Sequence, residues 1–333
     1  MTRAWIASIV LIALPALGAA LLPDASGYQQ LADAAHAVVG VKVKAIANAR
    51  SNATLGAERT GSGVLIGPQG LVLTIGYLIL EADEVEVTTH TGLTVPCTVA
   101  AYDHATGFGL LRPMAPLALK PIALGSSAKV DPADRVLVAA GGGDDDSLSV
   151  ATVVSRREFA GYWEYLIDGA IFTSPPRADF GGAALINREG QLVGIGSLFV
   201  MDAMVPGERL PGNMFVPIDL LKPIVAEMVA TGRQKGGKRP WLGVGSMEED
   251  GRLKVLRVSA GGPAEEAGIE PGDIILAVAG KQVASLQEFY GRLWSAGAPG
   301  VVVTLKVLKG TDVRDVKVRS IYRLDFLRKR PTI

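Results

Sequence analysis

The stretch TGSGVLIGPQGLVLTIGY, residues 60–77, holds two short apolar runs, 63–66 and 71–74, separated by Gly67-Pro68 and Gly70. Runs of four residues bounded by glycine and proline are too short for helices and fit buried strands joined by a tight turn. The same cadence continues outward. Runs at 85–89, 94–101 and 109–112 follow, with Gly92 between the first two, a spacing expected of a β-barrel. A second set lies at 135–140, 149–155, 165–168, 183–187, 191–197 and 213–216. Two such sets in succession predict a double barrel. Upstream, 29–39 reads as a short helix leading into a strand at 39–46, and 48–60 as a polar loop of small residues.

With 333 residues, 49% of them hydrophobic, the chain can bury two cores. Thirty-three Lys and Arg balance thirty-three Asp and Glu, so no basic field points to a nucleic-acid partner. After Arg3, residues 4–22 carry no charge, so 1–22 reads as a signal peptide or a membrane anchor. Pro15 and the small residues Gly18 and Ala20 favour export with cleavage over retention at the inner membrane. Either outcome places the body outside the cytoplasm. The lone Cys97 cannot form an internal disulfide and reads as a buried strand residue.

Beyond the second strand set, Leu221, Ile224, Val225, Met228 and Val229 follow helical spacing, with Asp219 as the expected cap and Gly232 as the stop. Residues 231–239 are rich in Gly, Lys and Arg and read as a linker. It divides a barrel domain, 28–230, from a compact unit at 240–325. In that unit Ser285 and Glu288 form a capping box for a helix carrying Leu286, Phe289, Tyr290 and Leu293, and 301–308 and 313–318 alternate as closing strands.

The motifs Thr60-Gly-Ser-Gly-Val-Leu-Ile66 and Gly70-Leu-Val-Leu-Thr74 resemble the first barrel of the HtrA/DegP family of exported serine proteases. In that family the Leu-Thr pair is followed, after two residues, by the catalytic histidine, and that place is Tyr77. The segment from Tyr102 to Leu111 resembles the one carrying the catalytic aspartate, whose place is Gly107. The segments from Gly182 to Asn187 and from Gly190 to Ile195 are similar to the strand pair after the nucleophile turn. Counting back puts Gly181 at the serine and Phe180 beside it. Glycine supplies neither nucleophile nor carboxylate, and a phenol titrating near ~10 is a poor base at neutral pH. The resemblance leaves room for an oxyanion hole from the amides of Gly181 and Asp179.

Chemistry displaced within the same cleft is the alternative reading. Of the three histidines, His36, His90 and His104, only His104 is near the expected cleft; Asp103 beside it, with Ser174 or Ser197, supplies the ingredients of a rearranged triad. The bland reading of His104 is a solvated loop residue. Asp144, Asp145 and Asp146 match no metal-ligand spacing and read as an exposed turn. No metal and no cofactor are expected.

Trp241-Leu242-Gly243-Val244 resembles the family's carboxylate-binding loop, which opens a strand against which a peptide pairs. Residues 262–268, 271–275 and 278–280 resemble the helix, turn and hairpin of bacterial PDZ domains. A peptide would then lie along Val244, Gly245 and Ser246 and against the helix starting near Leu286, with Leu242, Val244, Tyr290 and Leu293 around an apolar C-terminal side chain. Phe289 is expected in the core. A groove that is self-occupied or serves assembly is the competing reading.

The fold implied is a mainly β, trypsin-like double barrel followed by one PDZ domain. The function implied is an exported pseudoprotease binding C-termini of peptides or misfolded proteins in the periplasm as an adaptor, chaperone or assembly partner. Two alternatives stand beside it: a serine endopeptidase with a rearranged site, and a membrane-anchored structural subunit of a larger complex. The family's habit of forming trimers through its barrels implies a homotrimer or a hetero-oligomer with related proteases.

Overall fold

The computed structural model describes residues 25–141, 147–232 and 238–328. Residues 1–22, the triplet Asp144 to Asp146, and 233–237 of the expected linker lie outside the described residues.

A helix α1 (Ala25–His36) leads directly into β1 (Val38–Ala45). The first barrel closes in the order β1, β2 (Glu58–Ile66), β3 (Leu71–Ile75), β6 (Phe108–Pro113), β5 (Thr94–Tyr102), β4 (Ala82–Thr88), with β4 returning antiparallel to β1. Val64, Val72, Leu73, Phe108 and Leu110 are wholly buried inside it. The polar stretch before residue 60 is not all loop. It contains a helical turn, α2 (Asn52–Leu55), and the start of β2, where Arg59 points inward. A buried guanidinium is tolerated only when its donors are satisfied. Arg59 donates to the carbonyls of Gly56 (3.0 Å), Tyr77 (3.1 Å) and Leu80 (2.7 Å) and to the Ser51 hydroxyl (2.8 Å). It thereby pins the turn α3 (Gly76–Ile79) that carries Tyr77.

The second barrel closes in the order β10 (Ala184–Ile186), β11 (Leu192–Val200), β12 (Gly212–Pro217), β9 (Tyr165–Ser174), β8 (Leu148–Gly161), β7 (Arg135–Ala139). Val136, Val138, Val153, Ile171, Leu185, Val193 and Phe215 are among its packed interior. β8 and β9 extend well past the expected 149–155 and 165–168. Charged residues hid the extension. Arg157 lays its guanidinium 3.8 Å over the Phe172 ring and donates to the Asp202 carbonyl at 2.8 Å, two contacts that offset part of the cost of placing a charge on this strand.

Asp219 does not cap the helix that follows. Its carboxylate accepts from Ser126 Oγ (3.0 Å) and the Ala128 amide (2.9 Å) and pairs with Lys222. Burial alone would raise its pKa, but these donors outweigh burial and hold it well below the usual carboxylate range. The chain passes a 3-10 turn (Ile218–Leu220), and regular helix begins only after Pro223, as α4 (Val225–Thr231), ended by left-handed Gly232.

Two compact units result. One holds the body of both barrels; the other unites Glu158–Asp168, the end of β8, the start of β9 and the turn between them, with the C-terminal residues up to Arg328. That turn lies inside the span expected for the barrels, yet it packs with the C-terminal unit. The latter is a sheet ordered β14 (Val244–Glu249), β15 (Arg252–Val258), β16 (Ile274–Val278), β18 (Val302–Lys309), β19 (Asp312–Arg319), with β17 (Lys281–Gln282) on β16. β13 (Pro240–Trp241) pairs separately with β20 (Ile321–Tyr322). Against the main sheet packs α6 (Leu286–Ser295), which follows α5 (Pro263–Glu266) in the chain. Ser285 caps α6 by accepting from the Glu288 amide at 3.2 Å, while Glu288 reaches back to the Ala284 amide at 2.9 Å. Leu286, Phe289, Tyr290 and Leu293 all face the core.

Candidate functional site

β3 ends at Ile75 and the chain turns at once into α3, which delivers Tyr77 into the cleft between the two barrels. There the phenol donates to the Ser197 carbonyl at 3.0 Å. A Cβ built on Gly181 would stand 2.8 Å from the Tyr77 hydroxyl oxygen, so the two positions do face each other. The phenol fills the volume that a side chain at 181 would need. Burial raises its pKa well above the ordinary tyrosine value, and it stays protonated at any physiological pH.

Gly107 is close by through the backbone: its carbonyl accepts from the Gly76 amide at 2.6 Å and its amide donates to the Asp103 carbonyl at 2.9 Å. Its φ of 80° lies in the left-handed region, which glycine adopts without strain. Asp103 is buried, its carboxylate accepting from the amide (2.8 Å) and hydroxyl (2.6 Å) of Thr106. His104 Nδ1 lies 3.1 Å from the Tyr102 hydroxyl, and Ser174 Oγ donates to the Pro211 carbonyl at 3.0 Å. Asp103, His104 and Ser174, three of the would-be members of a rearranged triad, are thus engaged with other partners, and Ser197, which is buried, meets the Tyr77 phenol through its carbonyl. His36 and His90 stack on each other at 4.3 Å. In the turn 179–183 the Phe180 carbonyl accepts from Ala183, the Gly181 carbonyl accepts from Ser62, and Asp179 is held in two hydrogen bonds from Arg177. Among the described residues no group of three or more His, Cys, Asp or Glu is placed to hold a metal.

The second place of interest is the loop before β14. Gly243 adopts φ 82°, which turns three successive amides toward one point. A carboxylate occupies that point, and it is the protein's own: Glu164 accepts from Leu242 (3.1 Å), Gly243 (2.8 Å) and Val244 (3.1 Å). On the edge of β14 the Ser246 amide donates to the Tyr162 carbonyl at 2.9 Å. Across the groove, the Tyr290 hydroxyl donates to the Gly161 carbonyl (2.6 Å) and accepts from the Glu164 amide (3.1 Å). Gly245 lies along the same edge, its missing Cβ 3.5 Å from Tyr162. Leu242, Val244, Leu286 and Leu293 are buried in the adjoining core. Trp241 turns away, packing on Phe326 at 4.8 Å.

Comparison with known proteins bears on both places. Residues 61–195 match the trypsin-like peptidase domain and residues 240–319 the PDZ domain. The chain belongs to the HtrA/DegP-type family. Serine protease PepD of Mycobacterium tuberculosis is 27% identical over 316 residues, covering 88% of this chain and 65% of the relative. A probable periplasmic DegP-like endoprotease of Hahella chejuensis is 26% identical over 79% of this chain, which spans 57% of that relative. Serine endoprotease DegS of Haemophilus influenzae is 28% identical over 77% of this chain and 76% of its own. The fold matches the serine endoprotease from Yersinia pestis with a TM-score of 0.53 at 23% identity, over 90% of this chain and 99% of the other. It matches the HtrA-type protease AlgW, solved with a decapeptide, with a TM-score of 0.54 at 18% identity, over 92% and 100%.

In this HtrA/DegP-type chain the amides of 242–244 and the Tyr290 hydroxyl meet around one groove, while Trp241, expected beside them, packs elsewhere. What the motifs do not disclose is the segment 161–164 lying in it. Its one signal in the sequence is crowding: Phe159, Tyr162, Trp163 and Tyr165 fall within seven residues of a chain that is only 6% aromatic. Exposed turns are not built that way unless the rings have something to meet.

Proposed function

We propose that this HtrA/DegP-type chain binds the C-terminal segments of other polypeptides through its PDZ groove and does not hydrolyse them, acting as an exported adaptor or holdase. The observation that carries the reading is the convergence of three amides, 242–244, on a carboxylate at 2.8–3.1 Å. Such a nest is built for a terminal carboxylate. The periplasmic naming of a DegP-like relative supports export. Absence of hydrolysis follows from chemistry: Gly181 has no nucleophile, and a buried, protonated phenol at Tyr77 accepts no proton from one. Losing a triad costs about a million-fold in turnover, because its members act as a unit.

The test is a pair of measurements on the purified protein. It will take no fluorophosphonate label and release no fluorescent peptide from labelled casein, and Gly181→Ser will behave the same way, having no imidazole beside it. The protein will nevertheless retain casein fragments at high concentration, and Gly243→Val, which cannot hold the loop's left-handed turn, will retain less. Stoichiometric labelling that survives repurification would sink the reading.

A further inference from the structure

The groove's occupant deserves the same questions as a ligand would. Segment 161–164 makes the contacts of strand addition: its Tyr162 carbonyl pairs with the Ser246 amide on the outer edge of β14, an edge strand of its sheet. Two residues on, Glu164 reaches the amide nest with its side chain, because the backbone continues into β9 instead of ending. To do so Glu164 takes φ 60°, a conformation that non-glycine residues rarely adopt. Rings brace the turn: Trp163 stacks on Tyr165 (5.4 Å, 15° between planes) and meets Tyr162 edge-on (4.9 Å, 80°). Ala160 and Leu166 pack against the PDZ core from either side of it, and Arg323 donates to the Trp163 carbonyl at 3.5 Å.

We propose that the turn 161–164 is a built-in ligand of the PDZ groove, and that a polypeptide with a free C-terminal carboxylate binds by displacing it. This inference rests on the peptide-binding reading above. Occupancy is mutually exclusive, since the amides of 242–244 and the edge of β14 are the same groups that a terminal peptide would use. The internal ligand is also an imperfect one. Its carboxylate is borrowed from a side chain, is buried to 4% exposure, and is reached only through a strained backbone. A true C-terminus offers the carboxylate on the main chain, in line with the added strand, without that strain. The geometry therefore describes a latch: it fills the groove in the absence of a partner and yields to one.

The experiment uses a fluorescein-labelled hexapeptide made of residues 159–163 followed by valine, as free acid and as C-terminal amide, with binding read by anisotropy on the full chain. Glu164→Ala, which removes the internal carboxylate, will bind the free acid about tenfold or more tightly than the wild type, and neither protein will bind the amide comparably. Hydrogen exchange gives a readout independent of the peptide. The amides of Leu242, Gly243, Val244 and Ser246 will be protected in the wild type and exchange faster in Glu164→Ala, with the remaining core amides of the PDZ unit reporting that the variant is folded. Equal affinities with unchanged protection would overturn the latch while leaving peptide binding in place. Failure of both proteins to bind the free acid, with faster exchange in the variant, would overturn displacement by a peptide and the peptide-binding reading with it.

Discussion

Gly182→Ala will lower the barrel unit's unfolding free energy by about 3 kcal/mol or more, while its neighbour Gly181→Ala will cost under about 1 kcal/mol. The two glycines sit side by side in the turn that would present a nucleophile, but their surroundings differ in what can yield. A Cβ on Gly182 would fall 1.9 Å from the Ser62 carbonyl oxygen and 2.8 Å from Thr74 Oγ1, and φ there is 78°. Neither neighbour is free to retreat. The Ser62 carbonyl accepts from Thr74 Oγ1 at 2.7 Å, the Ser62 amide donates to the Gly181 carbonyl at 2.8 Å, and Ser62 Oγ accepts from the Gly141 amide at 2.9 Å. This is the seam at which the two barrels are stitched together. At Gly181 the three nearest atoms all belong to Tyr77, whose hydroxyl is the far end of a side chain. For a unit of this size, 3 kcal/mol is a fall in melting temperature of about 6–12 °C. Melting followed separately for the two units checks it, because the PDZ transition will stay in place. Equal melting of the two alanine variants would mean that the seam is not built as described. The turn's geometry is thus held by the contacts that join the barrels.

Much of this architecture was legible because barrels announce themselves locally. Strand after strand between residues 60 and 112 is bounded by a glycine or proline whose backbone requirement is independent of distant partners, so expected and observed strands differ by only a few residues at their ends. The misreadings share one cause, which is polar residues whose partners are remote in sequence. Arg59 reads as loop until its acceptors at Tyr77 and Leu80 are in view. Arg156 and Arg157 read as the close of β8 until the Val130 carbonyl takes up the first, and the Phe172 ring and Asp202 carbonyl the second. Asp219 is the right residue type for a cap at the right distance from a helix, yet Ser126 and Ala128 claim it first. Glu164 is the extreme case. Its ligands lie about eighty residues downstream, and nothing in a Gly-Tyr-Trp-Glu turn shows that its carboxylate will stand where a foreign C-terminus is expected. Flanking motifs single out Tyr77, Gly107 and Gly181, and the structure shows that two of them share one space: the Tyr77 phenol takes the room that a side chain at Gly181 would need.

The latch makes peptide binding depend on pH, with a sign that can be worked out. Burial pushes the Glu164 carboxyl from its ordinary 4.5 up to about 7, against the amides of 242–244 and the charge of Arg323, which pull it down. Released from the groove, the side chain meets water and returns to its ordinary value. Closing the latch therefore takes up a proton between those two values. Because the pKa is raised in the latched state, this stabilisation is fully present below about 4.5 and is lost as pH rises through about 7. The competing terminal carboxylate titrates near ~3.5 and is ionised throughout the window. Of the other groups facing the site, Arg323 and Glu248 bring charges of opposite sign, burial raises the Tyr290 phenol further from neutrality, and the three histidines, at 36, 90 and 104, all belong to the barrel unit. The hexapeptide will accordingly bind the wild type about tenfold more tightly at pH 8 than at pH 5.5. In Glu164→Gln the slope will vanish, since an amide side chain neither ionises nor offers a charge to the nest. A slope of opposite sign, or one that persists unchanged in Glu164→Gln, would show that the groove's response to protons is not set by its internal carboxylate.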